Sequence, residues 1–155
     1  MNVAQILIEK LHQKGYTLTT AESCTGGMIS STLIDVAGAS SVINECHVTY
    51  SNEAKEKYLG VSKETLEQYG AVSEQTAYEM ARGAVKLANA DVAIAVTGLA
   101  GPDGGTKEKP VGLVYIACNI CGNIKVYRYI FDGDRMAVRQ QTTMTAIWNM
   151  LEGLN

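Results

Sequence analysis

Residues 91–97 read DVAIAVT, and this stretch leaves the chain the fewest choices of fold. A run so short and so nearly free of polar residues has no face to offer water, so as a strand it needs cover on both sides. Just before it, after Ser73, the residues Ala77, Met80, Ala81, Ala84, Val85 and Ala88 recur at helical spacing and define one apolar face. A helix running into a buried strand is the unit of a layered α/β fold.

The rest of the chain extends the pattern. Val3, Ile6, Leu7 and Leu11 predict an N-terminal helix stopped at Gly15, and YTLTTAE then predicts a strand. Met28, Ile29, Thr32, Leu33 and Val36 predict a helix from Thr25 toward Gly38, and SVINECHVTYS is β-like in composition. NEAKEKYLG and the segment from Ser62 to Gly70 predict two short helices, each closed by a glycine. VGLVYIACN and IKVYRYIF flank a Gly122–Asn123 turn and predict an antiparallel hairpin. From Asp134 a last helix is expected, with Met144, Ile147, Trp148 and Leu151 on one side. No repeat or linker divides the chain. Residues 1–155 are therefore expected to form one domain, a three-layer α/β/α sandwich with a mixed, mostly parallel sheet.

Composition narrows the function by exclusion. A formal charge of −3 gives no basic footprint for nucleic acid. The amphipathic start of the chain carries Glu9, Lys10 and Lys14, unlike a signal peptide, and no apolar run approaches the ~18 residues of a membrane span. A cytoplasmic location follows as the expectation, with Cys24, Cys46, Cys118 and Cys121 as reduced thiols. Cys118 and Cys121 form a C-x-x-C, yet there is no second pair, and His12 and His47 stand far apart. A zinc site would lack ligands, so these cysteines read as small apolar fillers and no metal is expected.

Two segments remain to carry chemistry. GLAGPDGGTKEKP, directly after DVAIAVT, holds four glycines and both prolines of the chain. It leaves the C-terminal end of a buried strand, where open α/β sheets bind ligands, and Thr97, Thr106, Lys107 and Lys109 add donors and charge. A site for a phosphate fits this loop, and so does a long rigid surface turn. In LTTAESCTGG, Ser23 stands where a strand gives way to a helix. It suits a helix cap, the commoner role, or a nucleophile whose oxyanion meets the amides around Thr25, Gly26 and Gly27. Neither histidine has a setting for a Ser-His-Asp triad. Lys55 of YSNEAK follows a strand end, but a lysine acts as a base only after its pKa falls by about three units, roughly 4 kcal/mol. A solvated surface lysine is the other reading.

TAESCTGG, VTYSNEAKEKYLGV, YGAVSEQTA, VTGLAGPDGGTKEKPVG and FDGDRMAVRQ, in this order and across nearly the whole chain, resemble the CinA C-terminal domain family, which includes nicotinamide mononucleotide deamidases. Leu99 and Leu113 stand where the resemblance leads one to expect Ile and Thr. The resemblance implies an amidohydrolase that releases ammonia from the carboxamide of nicotinamide mononucleotide through a Ser/Lys pair, with no cofactor. Carried over by motif, the pair is Ser23 and Lys55. The loop residues Gly98, Gly101, Gly104, Gly105 and Thr106, with Arg135, would hold the phosphate. Tyr50, Thr97 and Glu74 would contact the ribose or stand behind the site, as would Glu22. The N-terminal domain of larger members is missing, so the chain resembles the stand-alone form, and a homodimer or larger assembly is expected. A non-catalytic nucleotide-binding module and a phosphohydrolase are the alternatives, the latter weakened by the absence of a carboxylate cluster suited to magnesium.

Overall fold

The computed structural model describes residues 1–155 and orders five strands as β2-β1-β3-β4-β5. These are β1 (Leu18–Glu22), β2 (His47–Val48), β3 (Val92–Gly98), β4 (Leu113–Ile120) and β5 (Asn123–Ile130). β1 pairs parallel with both β2 and β3, while β4 runs antiparallel to β3 and to β5. Four strands thus share a direction and β4 alone opposes them. The six helices are α1 (Val3–Lys14), α2 (Met28–Ile34), α3 (Asn52–Leu59), α4 (Lys63–Tyr69), α5 (Glu74–Ala88) and α6 (Arg135–Gly153).

β3 shows why the chain needs three layers. Val92, Ile94 and Val96 pack with Leu7, Leu11, Ile29, Leu33, Ile147 and Met150 of α1, α2 and α6. Ala93 and Ala95 turn the other way, with Ala21 and Ala117, onto Ala77, Met80, Ala81 and Ala84 of α5. Alternation of side chains along one strand thus serves two cores, a large-residue core on one face and an alanine-lined one on the other. Each fully buried Leu or Ile contributes about 1.5–3 kcal/mol. The alanines have a different use: they let α5 lie close to the sheet and bring α3 with it.

Helix starts follow the expected chemistry. Ser51, Ser62, Ser73 and Asp134 accept hydrogen bonds from the amides of Ala54, Thr65, Thr76 and Ala137, caps worth about 1 kcal/mol each. Ser51 therefore sets where α3 begins, and with it the height of Lys55.

Several expectations need correction. α2 starts at Met28 rather than Thr25, because Gly26 and Gly27 adopt φ of 58° and 101° and prolong the turn. The β-like SVINECHVTYS yields only the two-residue β2 and a single bridge from Ile43 to Leu18, since a 3-10 turn over Ala39–Ser41 takes up its start. The hairpin turns on Cys121–Gly122, both at positive φ, one residue earlier than expected. Cys118 is a buried filler, but Cys121 is exposed in that turn. On α6, Ile147 and Leu151 are buried while Met144 and Trp148 are 46% and 52% exposed. One residue advances a helix by about 100°, so once Ile147 faces the sheet, Trp148 cannot. No helix of the fold is long and apolar enough to cross a membrane.

Candidate active site

The end of β1 is where the two layers meet the chemistry. Leu18, Thr20 and Glu22 turn toward α2, so the next residue, Ser23, turns toward α3 on the other side. Its backbone is pinned to the sheet, with Ser23 N donating to the Val96 carbonyl at 3.1 Å and Thr49 N donating to the Glu22 carbonyl at 2.9 Å. Ser23 is not a helix cap: Gly27 holds that position, and the Ser23 hydroxyl lies beside Lys55 instead.

Lys55 Nζ is 2.9 Å from Ser23 Oγ, 2.9 Å from the Thr49 carbonyl oxygen and 3.0 Å from that of Tyr50. The side chain is 1% exposed and no carboxylate forms an ion pair with it. Burial therefore dominates its titration and lowers its pKa to about 8. The surroundings suit an amine. Two carbonyls can only accept, so they take two N–H bonds; the third position of the nitrogen faces the Ser23 hydroxyl, donating to Oγ as an ammonium and able to accept from it once the amine is neutral. Cys24, next to Ser23, has its thiol pushed up to about 11 by burial, so it stays protonated at neutral pH.

A cavity of about 230 Å³ opens on this pair, lined by Ser23, Cys24, Tyr50, Lys55, Ala71, Val72, Thr97, Gly98, Ala100 and Arg135. Thr97 Oγ1 donates to the Ala71 carbonyl at 2.7 Å and so ties the end of β3 to the wall between α4 and α5. Arg135 donates to the Gly101 carbonyl at 2.7 Å and to the Tyr50 hydroxyl at 3.2 Å, crossing the mouth. Four larger cavities lie elsewhere, of about 520 Å³ beside Tyr78, about 450 Å³ beside Tyr58, about 410 Å³ beside Ile43 and about 300 Å³ beside His12, and none contains a nucleophile beside a buried base.

Of the residues singled out in the sequence, Ser23, Lys55, Tyr50, Thr97, Gly98 and Arg135 meet in this cavity, and Gly101 touches it through Arg135. Gly104, Gly105 and Thr106 do not line it. They are exposed, and Thr106 closes a local turn with Lys109, whose own ammonium donates to the Tyr69 carbonyl. Glu74 is also elsewhere, in the cavity beside Tyr78, because the capped start of α5 turns it away from Ser23. Glu22 is buried behind Ser23. In the turn, the Gly26 amide already donates to the Ser23 carbonyl at 3.1 Å, whereas those of Cys24, Thr25 and Gly27 have no partner within the chain. His12 and His47 line no part of the cavity.

One residue escaped the sequence reading. Arg139 reaches from α6 to the carbonyls of Cys24 at 3.0 Å and Thr25 at 3.1 Å. In a trans peptide the carbonyl and the next N–H point in opposite directions, so holding these oxygens aims the Thr25 amide away from Arg139. The signal was available in DRMAVRQ, where Arg135 and Arg139 fall four apart on one helix face.

A family model described as the CinA C-terminal domain matches residues 1–154. A putative competence-damage inducible protein of Clostridium beijerinckii is 52% identical over 147 residues, which cover 95% of this chain and 36% of the relative. A CinA-like protein of Kosmotoga olearia is 49% identical, covering 94% of this chain and 35% of its own length. The chain thus spans about a third of these curated relatives. Among solved structures, a CinA superfamily protein from Klebsiella pneumoniae superposes with a TM-score of 0.95 at 41% identity, covering 98% of this chain and 95% of that one. The competence/damage inducible protein CihA from Agrobacterium tumefaciens gives 0.94 at 46% identity, covering 99% and 93%.

Proposed function

The chain belongs to the CinA C-terminal domain family, and from that premise we propose that it is a serine amidohydrolase converting nicotinamide mononucleotide to nicotinate mononucleotide and ammonia. The observation that carries the reading is the buried Lys55 amine, bracketed by two carbonyls and 2.9 Å from the Ser23 hydroxyl. With a pKa of about 8, roughly one Lys55 in ten is neutral at pH 7, against about one in two thousand for an ordinary lysine.

Neutral Lys55 takes the Ser23 hydroxyl proton as Oγ bonds to the carboxamide carbon. The oxyanion lies against the unpartnered amides of Cys24 and Thr25. The C–N bond breaks as Lys55 returns the proton to nitrogen, which leaves as ammonia. Water then gives a proton to Lys55, attacks the ester, and Ser23 recovers its hydrogen. The cavity of about 230 Å³ is smaller than a site for a whole drug-sized ligand, about 300–1,000 Å³. It suits the pyridine carboxamide, with the phosphoribosyl group outside it toward Arg135.

Incubation with nicotinamide mononucleotide, with ammonia and phosphate measured together, tests the reading. Stoichiometric ammonia without phosphate is expected. Phosphate release would replace it with a phosphohydrolase, and tight binding without either product would replace it with a binding module.

A further inference from the structure

Ser23 is held from behind by its neighbour in the chain. Glu22 ends β1 fully buried, and no cation forms an ion pair with it. A carboxylate in such a place is costly unless hydrogen-bonded throughout. One oxygen accepts from the Thr25 hydroxyl at 2.6 Å and the Ile29 amide at 2.9 Å. The other accepts from the Ser30 amide at 2.9 Å and from the Ser30 hydroxyl, with the Thr20 hydroxyl at 3.4 Å. These partners stand on both sides of the turn. Gly27, at the start of α2, has no side chain with which to cap the helix, and the amides of Ile29 and Ser30 in its first turn bond back to Glu22 instead.

We propose that Glu22 is the positioning residue of the nucleophile. Its carboxylate ties β1, Thr25 and the start of α2 into one unit, which fixes the backbone from Ser23 to Gly27 and sets Oγ against Lys55. Glu22 does not line the cavity, so it acts through Ser23 and not on a substrate. The inference rests on the Ser23/Lys55 reading above. It also explains why the residue is an acid. Each carboxylate oxygen faces one backbone amide, and a backbone amide can only donate. A glutamine in its place satisfies one of them and turns its own NH₂ onto the other.

Glu22→Gln, nearly identical in shape, is the test. A fluorophosphonate reads Ser23 without any carboxamide substrate: Oγ bonds to phosphorus, fluoride leaves, and the hydroxyl proton passes to Lys55. Labelling followed by intact mass should slow about 100-fold, the loss expected for a reacting group misplaced by about 1 Å. The kcat for ammonia release should fall by the same factor, with KM moving less than about threefold. Glu22→Asp, which keeps both acceptors on a shorter stem, should recover part of the loss. A folded Glu22→Gln that labels at the wild-type rate overturns the inference. Should that variant fail to fold, Ser30→Ala takes its place: it removes one hydroxyl donor and should slow labelling about fivefold. Unchanged labelling in a folded Ser30→Ala likewise overturns it. Wild-type protein that labels at Ser23 without releasing ammonia, with labelling slowed in Glu22→Gln, removes the substrate assignment and keeps the positioning role. Ammonia release undiminished in Glu22→Gln does the reverse, and wild-type protein that does not label at Ser23 overturns both.

Discussion

Lys55 Nζ stands 2.9 Å from Ser23 Oγ in a site where burial, and not a neighbouring cation, lowers the lysine pKa to about 8. A base of that kind makes the rate follow the loss of its proton. Below pH 8, kcat/KM for ammonia release should climb about tenfold per pH unit and level off above it. A profile flat between pH 6 and 8 contradicts the assignment of Lys55.

The pair should also be indispensable in both halves. Ser23→Ala should lower ammonia release at least about 1,000-fold, as removal of an activated nucleophile does elsewhere. Lys55→Met keeps the volume and loses the amine, with a similar effect expected. Lys55→Arg should fail too, because guanidinium stays protonated at any accessible pH. Circular dichroism on each variant separates lost chemistry from lost fold, and full activity in any of the three refutes the pair.

Burying Lys55 carries a pH-dependent cost in stability. Between its folded pKa of about 8 and its unfolded value of 10.5, the unfolded chain holds the extra proton. Stability therefore rises with pH across this window, and the burden is full below pH 8. Relative to Lys55→Met, the wild-type unfolding free energy should gain about 3 kcal/mol between pH 7 and pH 10.5. Denaturant unfolding of both proteins at the two pH values measures it, and a difference independent of pH would show that Lys55 is solvated.

Much of this is legible in the sequence. DVAIAVT states its two-sided burial outright, and the helix from Ser73 shows its apolar face in the spacing of Ala77, Met80, Ala81 and Ala84. Residue chemistry alone cannot tell Lys55 from a solvated surface lysine; only the family resemblance singles it out. NEAKEKYL is a polar sequence, and its lysine is buried only because α3 lies across the end of β1, a contact between residues 32 apart. Periodicity reports which face of an element is apolar, and a lone buried cation leaves no trace in it. The glycine loop misled in the opposite way. Gly104 and Gly105 signal a flexible backbone, but glycines shape a surface turn as readily as a phosphate cradle, and here they lie outside the cavity.

Arg139 should act on the rate and not on binding. Its two bonds to the Cys24 and Thr25 carbonyls hold the peptides that follow Ser23. Arg139→Met removes them while keeping most of the stem that packs beside the turn. A fall in kcat of about 10- to 100-fold with little change in KM is expected, on the scale of losing one oxyanion donor's alignment. A rise in KM with kcat intact would instead make Arg139 a substrate ligand.

Gly83 lets α5 and α3 pack backbone against backbone, and the placement of Lys55 on α3 should depend on it. It lies in α5 against α3, and a Cβ built there falls 1.7 Å from the Leu59 carbonyl oxygen. Backbone cannot yield as a side-chain tip can, so Gly83→Ala must push α3 away from α5. α3 carries Lys55 one turn before Leu59, and the shift reaches the amine directly. If the fold survives, a displacement of about 1 Å should lower kcat about 100-fold, although Gly83 lines no part of the Ser23 cavity. Overpacking should also cost about 1–3 kcal/mol of stability. Gly83→Ala with wild-type kcat and wild-type thermal midpoint would mean that α3 is free to move without disturbing the pair.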